Sequence, residues 1–164
     1  MHNMNNRQLL ATFARYGVIG SVIFAGFFLV MRLVGLAHIT ELRFFNYIAM
    51  CIVSFFALKQ ATILNGRQPK FFMEMAIIFL TSTLSFVFFG VFIYLYTVVD
   101  PFIINTFTTM YPGSLAFGKF SAPIFIASEG IGLSSVAALG MTFFFRWYKE
   151  KRKTPSDIPH ELIY

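Results

Sequence analysis

Residues Phe71–Val99 read FFMEMAIIFLTSTLSFVFFGVFIYLYTVV, and after Glu74 no charged residue occurs until Asp100. A helix needs about 20 predominantly apolar residues to cross the hydrocarbon core of a bilayer, and this run exceeds that length. Its apolar residues are continuous, whereas barrel strands alternate over segments of about 10 residues, which excludes a β-barrel. In lipid every backbone N–H and C=O must find a partner within the chain, so the run is predicted to be a transmembrane helix.

Three further runs share this character: Tyr16–Leu36, Phe44–Leu64 and Ala122–Trp147. The composition agrees. Of the 164 residues 57% are hydrophobic and only 12% charged, with 23 phenylalanines, against about 45–50% apolar and about 25% charged in a soluble domain. The predicted fold is all-α: a polytopic membrane protein with four transmembrane helices in an up-down bundle. Residues 1–153 form the four-helix transmembrane domain and 154–164 a cytoplasmic C-terminal tail, which holds Pro155 and Pro159 and ends in Leu162-Ile163-Tyr164. The first run follows Arg7 and Arg15, and Gly35-Leu36-Ala37 offers small residues for a cleavage site. Arg32 interrupts the end of the run, so a retained span is expected.

Orientation follows from the basic residues. Arg7, Arg15, Lys59, Arg67, Lys70, Arg146, Lys149, Lys151, Arg152 and Lys153 fall on one side of the alternating spans, and Arg32, Arg43 and Lys119 on the other. The first set marks the cytoplasm, which places both termini there. The net charge of +6 flanks the apolar runs and therefore points to a membrane rather than to nucleic acid. Trp147 with Tyr148, followed by Lys149, Lys151, Arg152 and Lys153, forms an aromatic and basic anchor suited to anionic lipid.

The connections carry turn chemistry. Asn65-Gly66 favours a tight turn and Pro69 a helix start. Beyond span three, Asp100 can cap a helix with Pro101 at its first position, and Ile103, Phe107 and Met110 recur at helical spacing. A short helix in the interface is expected between spans three and four, or else an ordered loop over the bundle.

Ionisable groups inside spans are the candidate functional residues, because they are costly in lipid. Glu129 shares a face of span four with Gly132, Val136 and Gly140. Arg32 lies at similar depth, so an Arg32–Glu129 ion pair is expected, with proton or ion coupling as the other role. Glu74 stands near the cytoplasmic end of span three with Lys59 and Lys70 as candidate partners, and Thr81 and Ser85 extend its face into a polar stripe. Two small-residue seams, Gly17/Ser21/Ala25 on span one and Gly130/Ser134/Ala138 on span four, suit close packing, with each other or with a partner. Cofactor ligands are not expected. His2, His38 and His160 all lie outside the span centres, Cys51 is the single cysteine, and no P-loop, GxSxG or HExxH motif gives a catalytic reading a basis.

Gly66-Arg67, Phe71-Phe72 with Glu74, Asp100-Pro101 and the ending Phe143-Phe144-Phe145-Arg146 before a basic run are the motifs through which the chain resembles a family of small four-span bacterial inner-membrane proteins, known only as a domain of unknown function. The resemblance covers the whole chain in layout. It implies the same topology and a bacterial plasma membrane, and it implies no activity. The function expected from the sequence is a non-enzymatic accessory or scaffold subunit of a larger inner-membrane complex; the alternative is a small oligomeric transporter or channel subunit using Glu129 and Glu74. The partners expected are the lipid bilayer and other membrane subunits, with no nucleic acid and no evident soluble substrate. Reporter fusions placed after Lys70 and after Lys153 should read cytoplasmic and one after Met110 external; a cytoplasmic signal at Met110 would overturn this topology.

Overall fold

The computed structural model describes residues 6–37, 42, 44–66, 69–102, 104–105 and 120–151. They form four helices: α1 (Asn6–Leu33), α2 (Phe44–Asn65), α3 (Phe71–Val99) and α4 (Ser121–Lys151). All four are long and apolar enough to span a membrane, so the chain is an all-α, multi-pass membrane protein.

Backbone chemistry sets where the helices stop. Gly35 takes φ +80°, Leu36 N–H donates to Met31 O (2.9 Å) and Gly35 N–H to Arg32 O (3.2 Å). These two bonds are a Schellman ending, for which glycine is the unstrained residue. Gly66, with φ +65°, ends α2 in a similar way. Lys70 precedes α3 in extended conformation, and Asp100 closes α3 with its N–H on Tyr96 O. Asp100 also opens the next turn. Its Oδ1 accepts from Phe102 N–H at 2.9 Å and Asn105 N–H reaches Pro101 O at 3.0 Å, as the capping expectation requires. The remainder of the expected interfacial helix, including Ile103, Phe107 and Met110, lies outside the described residues, as does the tail 154–164.

Helix α3 occupies the middle. It packs against α1, α2 and α4, whereas among the described residues α1 and α4 do not touch. Half of its most apolar window is buried, against 17% for α1 and for α4. This arrangement corrects the expectation that the seams of spans one and four could pair. The span-four seam meets α3 instead, as does Gly17 of the span-one seam. A Cβ on Gly17 would lie 2.8 Å from Leu84 Cβ, and one on Gly130 would lie 2.7 Å from Phe86 Cβ and overlap its ring. Ser134 and Ala138 continue the buried side of α4.

The seam on α1 needs a second correction, because the line Gly17/Ser21/Ala25 is not its packed face. The contact with α3 follows Gly17, Gly20 and Phe24, of which Gly20 would place a Cβ against Ser85 and Phe24 is fully buried. Ser21 and Ala25 are only half-buried. Ser21 turns its hydroxyl to Val18 O, and Ala25 lies at the edge of the cluster around Phe24. The reason is helical pitch: each step of four residues turns about 40° past a full turn, so on this helix the row starting at Gly17 rotates off the interface before it reaches Ala25. Gly17 receives Leu84 and Gly130 receives Phe86, so α1 and α4 each seat a glycine against a bulky side chain of the central helix. The Gly132/Val136/Gly140 face, expected to meet protein, is exposed: Val136 is 70% accessible and a Cβ at Gly132 or Gly140 would meet nothing within 4 Å.

Among the described residues the core falls into two apolar clusters. One gathers Phe13, Ala57, Leu58, Ala61, Ile77, Ile78, Ala138 and Phe145. The other gathers Phe24, Met50, Phe86, Phe89, Ile93 and Ala122, with Phe24 edge-on to Phe89 at 5.8 Å. Along α3 the two are separated by Thr81, Ser82 and Ser85, all buried. Gly130→Ala should lower stability in detergent by about 1–3 kcal/mol, since Phe86 is blocked close to its own backbone, whereas Gly132→Ala should stay within about 0.5 kcal/mol; equal thermal midpoints for the two variants would refute this packing.

Candidate functional site

Among the described residues, polar side chains inside the helices form three clasps and one buried layer. At one end Glu74, on the first turn of α3, is fully buried and accepts from Arg146 Nε of α4 at 2.6 Å; the arginine is 37% accessible. The guanidinium also lies over the ring of Phe71, 5.2 Å from its centroid, and Phe71 packs against Phe143 at 5.5 Å. Arg146 therefore takes the place expected for Lys59 or Lys70, both of which are exposed. The physical reason is position: α4 is packed along α3, so its long, forked side chain reaches inward where the two lysines point outward. Burying a carboxylate near lipid requires such a counter-charge, and Arg suits it because its charge is delocalised and less strongly hydrated than an ammonium.

At the far end of α3 the expected Arg32–Glu129 pair does not form. Arg32 donates through Nη2 (2.9 Å) and Nε (3.2 Å) to Asp100 Oδ2, and its guanidinium covers the Phe102 ring at 4.0 Å. Tyr96 OH adds a third bond to the same oxygen at 3.0 Å. The Phe102 N–H first, and then the Arg32 guanidinium, hold the Asp100 carboxyl below the usual carboxylate range. Arg32 and Asp100 terminate the two packed helices α1 and α3, so they meet directly, whereas among the described residues α4 does not touch α1. Glu129 finds a different partner: Tyr47 OH of α2 donates to its Oε1 at 2.7 Å. Each of the carboxylates Glu74, Asp100 and Glu129 is thus held by a neighbouring helix.

Between these ends lies the buried layer. Thr81 and Ser85 share a face as expected, and Ser85 OH returns to Thr81 O at 2.9 Å. The Thr81 hydroxyl is buried with no hydrogen-bond partner. Ser54 and Ser82, which the sequence reading did not single out, bridge α2 and α3 at 2.9 Å. Gly20 faces Ser85, where a Cβ would collide with the hydroxyl. Hydroxyls that bond to their own helix or to a neighbour are a common adhesive in membrane bundles.

The structure brings none of Glu74, Glu129 and Arg32 together. Among the described residues no group of three or more His, Cys, Asp or Glu side chains is placed to hold a metal. The anchoring end is described as far as Trp147 and Tyr148, which flank Phe144 at 6.1 and 6.3 Å. The side chains of Lys149 and Lys151, and residues Arg152 and Lys153, lie outside the description. The missed partners had one signal in the sequence. In an alternating chain the ends of spans one and three share a side, as do the start of span three and the end of span four, which pairs Arg32 with Asp100 and Glu74 with Arg146.

Comparison of the chain with protein-family models, with curated proteins and with solved structures finds no match. Arg146→Leu should destabilise the protein by about 3 kcal/mol, at the low end for breaking a buried pair because the arginine is partly solvated, and the Glu74→Leu/Arg146→Leu double variant should recover most of that loss. Additive losses in thermal unfolding would show that the pair is not coupled.

Proposed function

We propose that the chain is a non-enzymatic accessory or scaffold subunit of a larger complex in a bacterial inner membrane, its helices running alternately up and down and both termini in the cytoplasm. The distribution of Lys and Arg around the spans supports the orientation, and the meeting of helix ends at Arg32–Asp100 and Glu74–Arg146 supports the alternation. The resemblance to four-span proteins of a domain of unknown function points to the same setting.

The observation that carries the functional reading is how the carboxylates are used. Glu74, Asp100 and Glu129 each hold one helix to another, which is what a rigid framework requires. A carrier needs charged groups that change partners as the site alternates between the two sides. The exposed Gly132/Val136/Gly140 face of α4 provides a surface where another subunit's helix packs closely, with the tail 154–164 docking on that same subunit.

A second reading, a small oligomeric transporter or channel subunit, draws on the unpartnered Thr81 hydroxyl on the same face of α3 as Glu74. The two readings separate in one preparation. The protein extracted with native lipid should carry a companion at fixed stoichiometry, and liposomes containing the pure chain should show no proton or cation flux above empty ones. A flux that Glu129→Gln or Glu74→Gln abolishes would replace the scaffold with the carrier.

A further inference from the structure

The contacts around the Tyr47–Glu129 hydrogen bond fix its depth. The neighbouring Gly130 is seated on Phe86, where a Cβ would overlap the ring. The Tyr47 ring lies 6.1 Å from the same Phe86 ring. Phe86 stands about 18 Å along α3 from Glu74 and about 21 Å from Asp100, at about 1.5 Å per residue. Those two carboxylates and their arginines mark the polar ends of the bundle. The hydrocarbon core is about 30 Å thick, so Glu129 lies near its middle, beyond the reach of a headgroup at either face.

The surroundings offer a hydrogen bond and no charge. Helix α4 carries no other charged residue from Ser121 to Phe145, α2 none from Phe44 to Leu58, and α3 none between Glu74 and Asp100. Lys59 stands about 18 Å along α2 from Tyr47. Helix α1, with Arg32, does not touch α4 among the described residues. The titratable groups at this level are the Tyr47 phenol and, one turn further along α2, the Cys51 thiol. Among the described residues no cation lies within ion-pair distance of Glu129.

An ionised carboxylate at the centre of a bilayer is disfavoured, and one hydroxyl does not replace a counter-charge. A neutral carboxylic acid fits the same geometry without that cost. Its carbonyl oxygen accepts from Tyr47 as Oε1 does, and its other oxygen keeps the proton. Glu129 is half-buried, so one side of the group is open to lipid.

We propose that Glu129, held by Tyr47, is a proton-binding site in the middle of the membrane, where the carboxyl sits as the neutral acid and is open from the lipid side to apolar reagents that capture protonated carboxyls. The site joins α2 and α4, which touch less than any other packed pair. It goes beyond the scaffold reading and does not depend on it, since it uses only groups within one copy.

The test is peptide mass spectrometry of the full chain in phosphatidylcholine nanodiscs after treatment at pH 7 with dicyclohexylcarbodiimide, an apolar reagent. The O–H of the acid adds across one C=N bond of the reagent, oxygen to carbon and hydrogen to nitrogen. Migration of the acyl group to nitrogen then gives an N-acylurea with the summed mass of acid and reagent. The adduct should form on Glu129 about tenfold faster than on Asp100, which is ion-paired with Arg32, because a carboxylate at the bilayer centre is disfavoured by at least that factor. Glu129→Gln keeps a carbonyl for Tyr47 and carries no charge, so it should abolish the adduct and leave the thermal midpoint unchanged. No adduct on Glu129, an adduct that forms only in acid, equal labelling of Glu129 and Asp100, or a lowered midpoint in Glu129→Gln would each overturn the proposal.

Discussion

Phe86 can lie against α4 only because residue 130 has no side chain, and Leu84 can approach α1 only because residue 17 has none. In lipid there is little hydrophobic gain in bringing two apolar helices together, because hydrocarbon solvates phenylalanine as well as a neighbouring helix does. Association therefore rests on close fit and on polar contacts. The two glycine notches provide the fit on both sides of α3. Once α4 is seated at that distance, Gly90 comes into close contact with Ala127 and the Pro123 carbonyl, and Ser134 reaches Met50 of α2 at 3.9 Å.

The polar contacts then fix what the notches alone leave free, which is the sliding and rotation of each helix. Arg32–Asp100 ties α1 to α3 at one end, and Glu74–Arg146 ties α3 to α4 at the other. Tyr47–Glu129 ties α2 to α4, across the pair with the thinnest packing, and Ser54–Ser82 holds α2 to α3 within the buried layer. A one-residue rotation of any helix turns its clasping side chain about 100° away from its partner. Because an unmet charge in this setting is expensive, the clasps select one register among several that the apolar surfaces would tolerate.

The spans were legible in the sequence because they depend on a property that adds along the chain. Run length and polarity located Phe44–Leu64 and Phe71–Val99 to within a residue of α2 and α3. They missed the first ten residues of α1, where Asn6, Arg7 and Gln8 continue the helix beyond its apolar part: hydropathy marks contact with lipid, and hydrogen bonding alone marks the helix. Partners were less legible, since depth fixes the level of a residue but not the direction it faces. Counting from the span ends gave Arg32 and Glu129 one level, yet Arg32 meets Asp100 at the end of α3 while Gly130, next to Glu129, packs on Phe86 near its middle. The same limit applies to Ser21 and Ala25, whose spacing from Gly17 was visible but whose angle to α3 was not. Asp100 was readable as a cap, and its Oδ1 serves as one, but the bonds of its Oδ2 to Arg32 and Tyr96 depend on packing. The Tyr47 hydroxyl carries no formal charge, so a search for ion pairs passes over it.

The central place of α3 also sets a sequence of events in biosynthesis. Chains emerge from the ribosome N-terminus first, so α1, α2 and α3, which all touch one another, are complete before α4 exists. During that interval Glu74 has been delivered to the membrane without the guanidinium that meets it, because Arg146 follows 72 positions later. The side of α3 that carries Phe86 and Gly90 is likewise open to lipid until Gly130 and Ala127 arrive. A nascent chain that stops short of α4 is therefore left with a carboxylate short of its arginine and with Phe86 and Gly90 uncovered.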